Sequence, residues 1–246
     1  MSWVEGRVLQ SRRWTDRHCS LQVEAAMQPF QAGQFTRLAL DIEGERIARP
    51  YSFINAPHES PLEFYFNKVP GGQLSNQLSA LREGDKVWVA SQAAGFLTLS
   101  EVPQADHLWL LAVGTAIGPF LSILKTDEPW RRFSRIVLVY GVQRVEELSY
   151  QEDIQLFKEA HPEQFIMLSS VTRQDTDFAI NDRIPCAIET GELEARVGLA
   201  LDPGQSQVMI CGGLVMVQST RQALESKGLR KHLRHKPGQV SSEDYK

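Results

Sequence analysis

Residues 108–120 read LWLLAVGTAIGPF, and this stretch decides the fold class of the chain. Leu108–Val113 is a continuous apolar run, which is typical of a strand buried on both faces of a parallel sheet. A glycine-rich turn follows at once, and Pro119 suits the first turn of the helix predicted over Pro119–Lys125. A strand, a tight turn and a helix in this order predict one unit of an open α/β sheet.

Strands and helices continue to alternate downstream. The predicted strands are Ile136–Val142, Phe165–Val171 and Val208–Cys211, and the predicted helices are Tyr150–Ala160, Arg183–Thr190 and Val215–Lys227. This alternation predicts a parallel sheet wrapped by helices. Ligands of such sheets bind outside the carboxyl ends of the strands, where the Gly114 turn and the turn Cys211-Gly212-Gly213 both fall. Two glycine turns at one edge predict a nucleotide crevice, although neither has the GxGxxG spacing.

The first hundred residues follow another pattern, with short strands separated by turn-prone residues. The expected strands are Val4–Leu9, Ser20–Val23, Phe35–Leu40, Tyr51–Asn55, Leu62–Lys68 and Lys86–Ala90, with one short helix at Ser75–Leu81. This spacing is typical of an antiparallel barrel or sandwich. We therefore expect two domains: an antiparallel β-barrel over residues 1–100 and an α/β domain with a parallel sheet over residues 101–246.

Composition excludes several classes of protein. The net charge of -4 argues against a general nucleic-acid binder, for which a basic excess is expected. The longest apolar stretch is far too short to span a bilayer, and the N-terminus carries charges where a secretory signal needs an apolar run. The three cysteines form no CxxC pair, so no disulfide framework, zinc site or iron–sulfur site is expected. We expect a cytoplasmic protein without a bound metal.

The tetrapeptide Arg49-Pro50-Tyr51-Ser52 is a candidate cofactor site. On a strand, Arg49 and Tyr51 point to one face, where a guanidinium could bind a phosphate and a phenol ring could stack on a flat cofactor. Ser52 points elsewhere and could hydrogen-bond a ring nitrogen. The plainer alternative is an exposed arginine beside a half-buried tyrosine, and the tetrapeptide alone does not decide between them.

Six motifs in order carry a resemblance over essentially the whole chain: RPYS, VGTAIGPFLSIL, VLVYG with ELSY, VTR, DRIPCAIETGEL and MICGG. Together they resemble the ferredoxin–NADP reductase family, and most of all its short bacterial type. The resemblance implies FAD in the first domain and NADP(H) in the second. It also implies hydride transfer between NADPH and FAD and single-electron transfer between FAD and ferredoxin or flavodoxin. We expect a monomer with neither nucleic-acid nor membrane partners.

The resemblance also implies residue roles in the FAD site. Arg49 would bind the pyrophosphate, Tyr51 would stack on the flavin ring, and Ser52 would lie near its reactive nitrogen N5. The FAD site would be completed by Pro50, by Tyr65, Phe66 and Asn67, and by the helix start at Gln73, Leu74 and Ser75. The catalytic residues that the resemblance implies are Ser52 here, and Thr115 and Tyr245, whose roles concern the NADP domain.

On the NADP side, Thr115 would lie near the flavin and the arriving nicotinamide. Arg173 and Arg183 match the residues that hold the adenosine 2′-phosphate, and Cys211 and Gly212 would border the nicotinamide ribose. At the chain end, Tyr245 would cover the flavin and be displaced in each turnover.

Three positions depart from the family pattern. The family's basic residue after the second strand of the NADP domain aligns with Gln143, and Arg144 stands one position later. The chain ends Tyr245-Lys246 where some relatives have two aromatics, so either Tyr245 covers the flavin alone or Lys246 lies where a ring is expected. The last turn reads Gly213-Leu214 instead of the more usual polar or proline pair.

The stretch Lys227–Lys236 (KGLRKHLRHK) is a local basic face on an acidic chain. Ferredoxins and flavodoxins are usually acidic, so Arg230, Lys231 and Arg234 could steer the carrier. A helix end with cations near its negative dipole is an equal alternative.

Two other functions remain open. The first is an NAD(P)H-dependent flavin reductase or oxygenase-supporting reductase on the same plan, which would favour NADH or hold FAD weakly. The absence of a cysteine quartet disfavours oxygenase reductases that carry their own cluster. The second is a regulatory subunit without turnover, and a tail without cysteine disfavours the kind that recruits a cluster.

Overall fold

The structure is a computed structural model that describes residues 2–245. The chain divides into two units. The barrel unit comprises the residues up to Thr98 together with Gly118–Thr126, and the sheet unit comprises Leu99–Ile117 and the residues from Asp127 onward.

Up to Thr98, the described part of the barrel unit contains six strands and one short helix. These elements are β1 Trp3–Arg13, β2 His18–Glu24, β3 Phe35–Ile42, β4 Glu45–Ser52, β5 Leu62–Asn67, helix α1 Gln73–Leu78 and β6 Lys86–Ala90. The strands form one antiparallel sheet in the order β4-β3-β6-β1-β2-β5. Directly after β4, Phe53 forms an antiparallel bridge with Phe64 of β5. Alternating apolar side chains such as Leu21, Leu38 and Val89 fill the interior.

The strand β4 begins at Glu45, six residues before Tyr51, where the sequence predicts its start. A two-residue turn, Glu43-Gly44, joins it to β3, and both turn residues have positive φ (51° and 85°), which suits the twist of a tight hairpin. Outside the barrel, Arg46 donates two hydrogen bonds of 2.8 Å to Asp41 and lies 4.0 Å above the ring of Trp88. These bonds from Arg46 lower the pKa of Asp41. These contacts of Arg46 tie the hairpin to β6 and support the first half of β4, where no apolar periodicity predicts a strand.

The sheet unit alternates strands and helices. Its elements are β7 His107–Val113, α3 Glu128–Arg132, β8 Arg135–Val142, α4 Gln151–Ala160, β9 Phe165–Val171, α5 Ile184–Glu189, α6 Glu192–Val197, β10 Ser206–Gly213, α7 Leu214–Ser226 and β11 Val240–Tyr245. The five strands are parallel and lie in the order β11-β10-β7-β8-β9. Both faces are covered, and Trp109, Val139 and Ile210 are fully buried. The predicted fold class, an antiparallel barrel followed by an α/β parallel sheet, is confirmed.

Helix α2 (Gly118–Leu124) directly follows β7 in the chain, yet it belongs to the barrel unit. All seven of its residues are buried. Ser122 donates a hydrogen bond of 2.7 Å to the carbonyl oxygen of Asn55. A Cβ added at Gly118 would lie 2.8 Å from Cδ1 of Ile54. A glycine therefore permits the close approach of this helix to the chain after β4.

Within residues 2–245, the longest helices are too short or too polar to cross a lipid bilayer.

Candidate functional site

The site of the sheet unit lies at the carboxyl edge of its strands. From β7 the chain proceeds through β8 to β9 on one side, and then returns to β10 on the other side of β7. Ligands of open α/β sheets bind at such a reversal of strand order. Ala112 of β7 is paired with Cys211 of β10, so the turns that follow these strands are neighbours.

Backbone groups are accessible at both turns. Gly114 has φ +60°, and a Cβ added there would meet no atom within 4 Å. The same holds for Gly213, which precedes the thirteen-residue helix α7 and provides no side-chain cap. The first N–H groups of a helix lack partners within the helix and favour an anion. Thr115 is buried directly after the first turn.

The ends of β8 and β9 are fastened together by backbone hydrogen bonds. The N–H of Thr172 donates to the carbonyl oxygen of Val142 at 3.1 Å, and the N–H of Arg173 donates to the carbonyl oxygen of Gln143 at 2.8 Å. The turn after β8 is held by its own bond, from the N–H of Gln143 to Oε2 of Glu147 at 2.8 Å. Arg144 and Arg173 are exposed on this platform. The structure thus brings Gln143, Arg144 and Arg173 to one place.

Arg183 reaches the same edge by another route. The N–H of Ile180 donates to the carbonyl oxygen of Ser169, and the Ser170 hydroxyl donates to the carbonyl oxygen of Asp182 at 2.6 Å. These bonds lay the chain before α5 alongside the end of β9. Arg183 is exposed directly before α5, so three arginines surround the ends of β8 and β9.

The C-terminal residues form a strand that the sequence did not predict. In β11, Glu243 is paired with Cys211 and Tyr245 with Gly213, so alternate side chains of β11 share a face with Cys211. The Tyr245 side chain makes a hydrogen bond with the Cys211 thiol. Lys246, the other expected contact at the chain end, lies outside the described residues.

This cluster holds protons strongly. Burial raises the pKa of the Cys211 thiol, and the nearby Glu243 carboxyl adds to that shift. Burial also raises the pKa of Glu243 to about 7, with a contribution from the charge of Asp244. Cys211 is therefore a thiol at neutral pH, while Glu243 titrates there. The proximity of Glu243 to Cys211 depends on the pairing of β11 with β10, which the sequence did not predict.

In the barrel unit, the tetrapeptide 49–52 ends β4. Arg49 is exposed and donates to the carbonyl oxygen of Ala48 at 2.8 Å. Two residues on, the Tyr51 ring packs edge-on against Phe66, with centroids 5.7 Å apart. Burial raises the pKa of Tyr51 to about 12, against the opposing charge of Arg49. Pro50 is exposed and Ser52 is buried at the end of the strand.

The strand β5 contributes mainly its backbone and one amide. The Tyr65 ring is 4% exposed and packs against Trp14 and His18, so little of it is available to a ligand. Asn67 presents a different group: its Oδ1 is buried, and no described residue donates a hydrogen bond to it. A buried acceptor without a donor is costly, and a ligand hydroxyl or amine would satisfy it.

At the start of α1, the side chains of Leu74 and Ser75 are already engaged. Leu74 is buried in the core, and the Ser75 hydroxyl accepts a hydrogen bond from the N–H of Val69 at 3.0 Å. Gln73 is exposed, and Gly72 at the N-cap has no side chain. Gln73, Leu74 and Ser75 thus present first-turn backbone N–H groups to solvent or to a ligand.

The predicted basic face does not lie on a helix. Helix α7 ends at Ser226, and the following residues form turns and isolated bridges beside β11. Arg234 donates two hydrogen bonds, of 2.8 and 2.6 Å, to the Glu101 carboxylate, and Lys227 pairs with Glu194. Arg230 and Lys231 are exposed. Part of the positive charge of the segment is therefore neutralised internally.

No group of three or more His, Cys, Asp or Glu side chains in residues 2–245 is arranged to hold a metal.

Comparisons with known proteins find a separate family match in each half of the chain. Residues 14–95 match the oxidoreductase FAD-binding domain family, and residues 110–222 match the oxidoreductase NAD-binding domain family. The flavodoxin/ferredoxin–NADP reductase of Escherichia coli K12 is 45% identical over 219 residues, which cover 89% of this chain and 88% of the relative. The enzyme of that name from Buchnera aphidicola subsp. Baizongia pistaciae is 38% identical over 246 residues, 99% of each chain.

A solved structure is similar to this chain over its whole length. The ferredoxin NADP+ reductase of Neisseria gonorrhoeae, with bound FAD and NADP, has a TM-score of 0.94 and 28% identity, and the match covers 99% of each chain. The chain belongs to the flavodoxin/ferredoxin–NADP reductase family of oxidoreductases.

Proposed function

We propose that the protein binds FAD on the barrel unit and NADP(H) at the carboxyl edge of the sheet unit, and that it passes electrons between NADP(H) and a ferredoxin or flavodoxin. The observation that carries the proposal is the group of three exposed arginines, Arg144, Arg173 and Arg183, beside the open turns at Gly114 and Gly213. The family to which the chain belongs supports the same activity.

The barrel residues fit FAD on their own chemistry. Arg49 would bind the pyrophosphate through its exposed guanidinium, and Tyr51 would stack on the flavin ring. The unsatisfied Oδ1 of Asn67 would accept a hydrogen bond from a ligand hydroxyl. Pro50, Ser52, Tyr65, Phe66, Gln73, Leu74 and Ser75 would complete the site. FAD, when bound, takes up a hydride and releases electrons singly, which the protein's own side chains cannot do.

The sheet unit would hold NADP(H) from both ends. Arg173 and Arg183 would bind the 2′-phosphate, with Arg144 taking the place of the family's basic residue at Gln143. Thr115, Cys211 and Gly212 would border the nicotinamide. The role of Arg144 draws support from the backbone bond of Gln143 to Arg173, which keeps residue 144 beside the platform.

At the same carboxyl edge, but on the β11 side of the sheet, the β11 residues would set the proton environment of the reaction. Tyr245 would cover the flavin face and leave when the nicotinamide arrives, and Glu243 would hold a proton on its carboxyl near pH 7. Cys211 would contribute shape and an S–H donor, since its raised pKa keeps it protonated. Ser52 would act from the barrel side.

The carrier is proposed to be acidic, with Arg230, Lys231 and Arg234 among the groups that attract it. The bond of Arg234 to Glu101 limits its share, so Arg230 and Lys231 would contribute most. The proposal includes a monomeric protein acting in the cytoplasm.

An anaerobic absorption titration tests the proposal. The purified protein, supplemented with FAD, is titrated with NADPH and, in parallel, with NADH. We expect a bound flavin spectrum that NADPH bleaches at far lower concentration than NADH. A protein that retains no flavin would refute the roles of Arg49 and Tyr51. Equal bleaching by NADH would refute the 2′-phosphate site and favour a flavin reductase.

A further inference from the structure

The turn between β1 and β2 carries a group of cations in the barrel unit, Arg12, Arg13, Arg17 and Lys68, which we call the hairpin patch. The three arginines are exposed and Lys68 is partly exposed. One carboxylate approaches them among the described residues: Asp16 lies 4.0 Å from Arg13, and both side chains are mostly in solvent (98% and 63% exposed). An exposed pair of this kind neutralises little. Four cations therefore meet one carboxylate on a chain whose net charge is -4.

The turn that carries the patch is held by hydrogen bonds. The Thr15 hydroxyl accepts hydrogen bonds from the N–H groups of Arg17 and His18 at 3.2 and 3.1 Å, and it also contacts Nδ1 of His18 at 2.9 Å. The N–H of Trp14 donates to the carbonyl oxygen of His18 at 2.9 Å. A fixed backbone lowers the entropy cost of ordering the arginines against a partner.

One arginine of the patch is positioned by an aromatic ring. The guanidinium of Arg12 lies 3.6 Å above the centre of the Trp14 ring, and Nε1 of Trp14 donates to the Ser20 hydroxyl at 3.1 Å. At this distance the cation–π attraction holds the guanidinium over the ring, while the Arg12 side chain stays exposed to a partner. Arginine and tryptophan are the residue types most enriched among binding hot spots.

The patch adjoins the part of the barrel where FAD is proposed to bind. The N–H of Lys68 donates to the carbonyl oxygen of Arg17 at 2.7 Å, and His18 is paired with Asn67. A protein that bound to the patch would therefore lie next to the end of β5, beside the unsatisfied Asn67 oxygen.

We propose that the hairpin patch is a docking surface for an acidic one-electron carrier protein. The inference rests on the proposed function and adds a second cationic surface, on the other unit from Arg230 and Lys231. Carboxylates of the carrier would pair with the patch arginines, and the long-range attraction would raise the association rate. The position beside the FAD residues favours a redox partner over a nucleic acid or a lipid surface, and the net acidic chain does the same.

The test reverses two charges. Arg12→Glu/Arg17→Glu is compared with Arg7→Glu/Arg82→Glu, a pair of exposed arginines elsewhere in the barrel unit with the same change in net charge. Two quantities are measured: the affinity for oxidised Escherichia coli flavodoxin by titration calorimetry, and the ratio of NADPH-dependent flavodoxin reduction to reduction of menadione, a neutral quinone. Each is recorded at low salt and at about 0.5 M salt, where surface charges are screened.

We expect the patch variant to lose about tenfold or more in flavodoxin affinity and in the rate ratio at low salt, and the loss to shrink at high salt. The control variant should lose less than about threefold, because its charges are not at the interface. Equal losses in the two variants would overturn the proposal, as would wild-type binding of flavodoxin that ignores salt.

Two further outcomes separate this proposal from the proposed function. If wild-type protein reduces no menadione with NADPH, the proposed function fails, while the calorimetric comparison still decides the docking surface. If the patch variant instead loses binding to duplex DNA or to phosphatidylglycerol vesicles and keeps its flavodoxin affinity, the patch serves another class of partner and the proposal is wrong.

Discussion

Two residues at the carboxyl edge of the sheet have opposite surroundings. Arg173 is exposed, so its charge is available to an anion. Glu243 is largely shielded, and burial raises its pKa to about 7 because the ionised form loses hydration. The first residue is suited to binding, while the second responds to pH.

For Arg173, we predict that replacement by alanine impairs NADPH much more than NADH. A hydrogen bond to a charged group is worth about 1.5–3 kcal/mol, which corresponds to a loss of about 10–10² in kcat/KM for NADPH. Steady-state kinetics with both nucleotides measure the effect. Arg131→Ala, an exposed arginine on α3 before the amino end of β8, is the matched control. Equal losses for the two nucleotides would refute the assignment.

For Glu243, we predict a pH-dependent gain in stability on replacement by glutamine. The unfolded chain releases this proton near pH 4.5, whereas the folded protein keeps it up to about pH 7. Stability from this group is therefore complete below pH 4.5 and declines as pH rises to about 7. Since the side chain is partly exposed, the cost above pH 7 is about 1–3 kcal/mol.

Thermal unfolding at pH 5 and pH 8.5 measures this gain. Glu243→Gln should melt higher than the wild type at pH 8.5 and nearly together with it at pH 5. Asp244→Asn makes the same change in charge at an exposed neighbour and should show a smaller difference. Identical shifts at both pH values would mean that Glu243 ionises normally.

At the scale of elements, the apolar periodicity of the sequence accounts for most of what could be predicted. The strands β7 and β8 were predicted within one residue, because both are buried on both faces and read as continuous apolar runs. The strand β11 is not predicted by the sequence VSSEDY. Because β11 lies at the edge of the sheet, Val240 is its only fully buried residue, and the strand has no apolar pattern. The short helices α3 and α6 have too few residues for a periodic signal.

The candidate site divides in the same way. Gly114, Arg173 and Cys211 could be placed at one edge from the order of strands alone, since parallel strands end together. The cluster of Glu243 with Cys211 could not, because it depends on the register of an unpredicted strand. The bond between Arg234 and Glu101 joins residues far apart in sequence and leaves no local trace.

For helix α2, we predict that Gly118→Ala destabilises the barrel unit by about 1 kcal/mol, because the new methyl group would meet Cδ1 at the end of the buried Ile54 side chain, which must shift to make room. Ile54→Val shortens the opposing side chain and alone costs about 0.5–1.5 kcal/mol. The double variant should lose less stability than the sum of the two single losses, by at least about 0.5 kcal/mol. Denaturant unfolding of all four proteins measures the coupling, and strictly additive losses would show that these groups do not meet.

At the scale of the molecule, the two units have separate cores and separate proposed ligands. A ligand stabilises the unit that binds it, by about 2.7 kcal/mol at a hundredfold excess over its dissociation constant. Stability is therefore described unit by unit, since two-domain proteins need not unfold in one step.

We predict that the two ligands protect different amides. In hydrogen exchange, added FAD should slow exchange mainly in β4, β5 and α1, and adenosine 2′,5′-bisphosphate mainly at the ends of β8 and β9. Adenosine 5′-monophosphate, which lacks the 2′-phosphate, is the control and should protect the second region less. Protection of the same segments by FAD and by the bisphosphate would contradict the assignment of one cofactor to each unit.

The position of α2 in the barrel unit has a consequence for synthesis on the ribosome. Domains usually fold as units, beginning from the N-terminus as it emerges. Here the six barrel strands emerge first, but the helix that covers Ile54 and Asn55 is translated only after β7. The surface of the nascent barrel around Ile54 and Asn55 therefore stays uncovered until β7, a strand of the second unit, has been synthesised. For the same reason, a gene fragment ending at Thr98 encodes all six strands of the barrel but lacks α2, the helix that covers this surface.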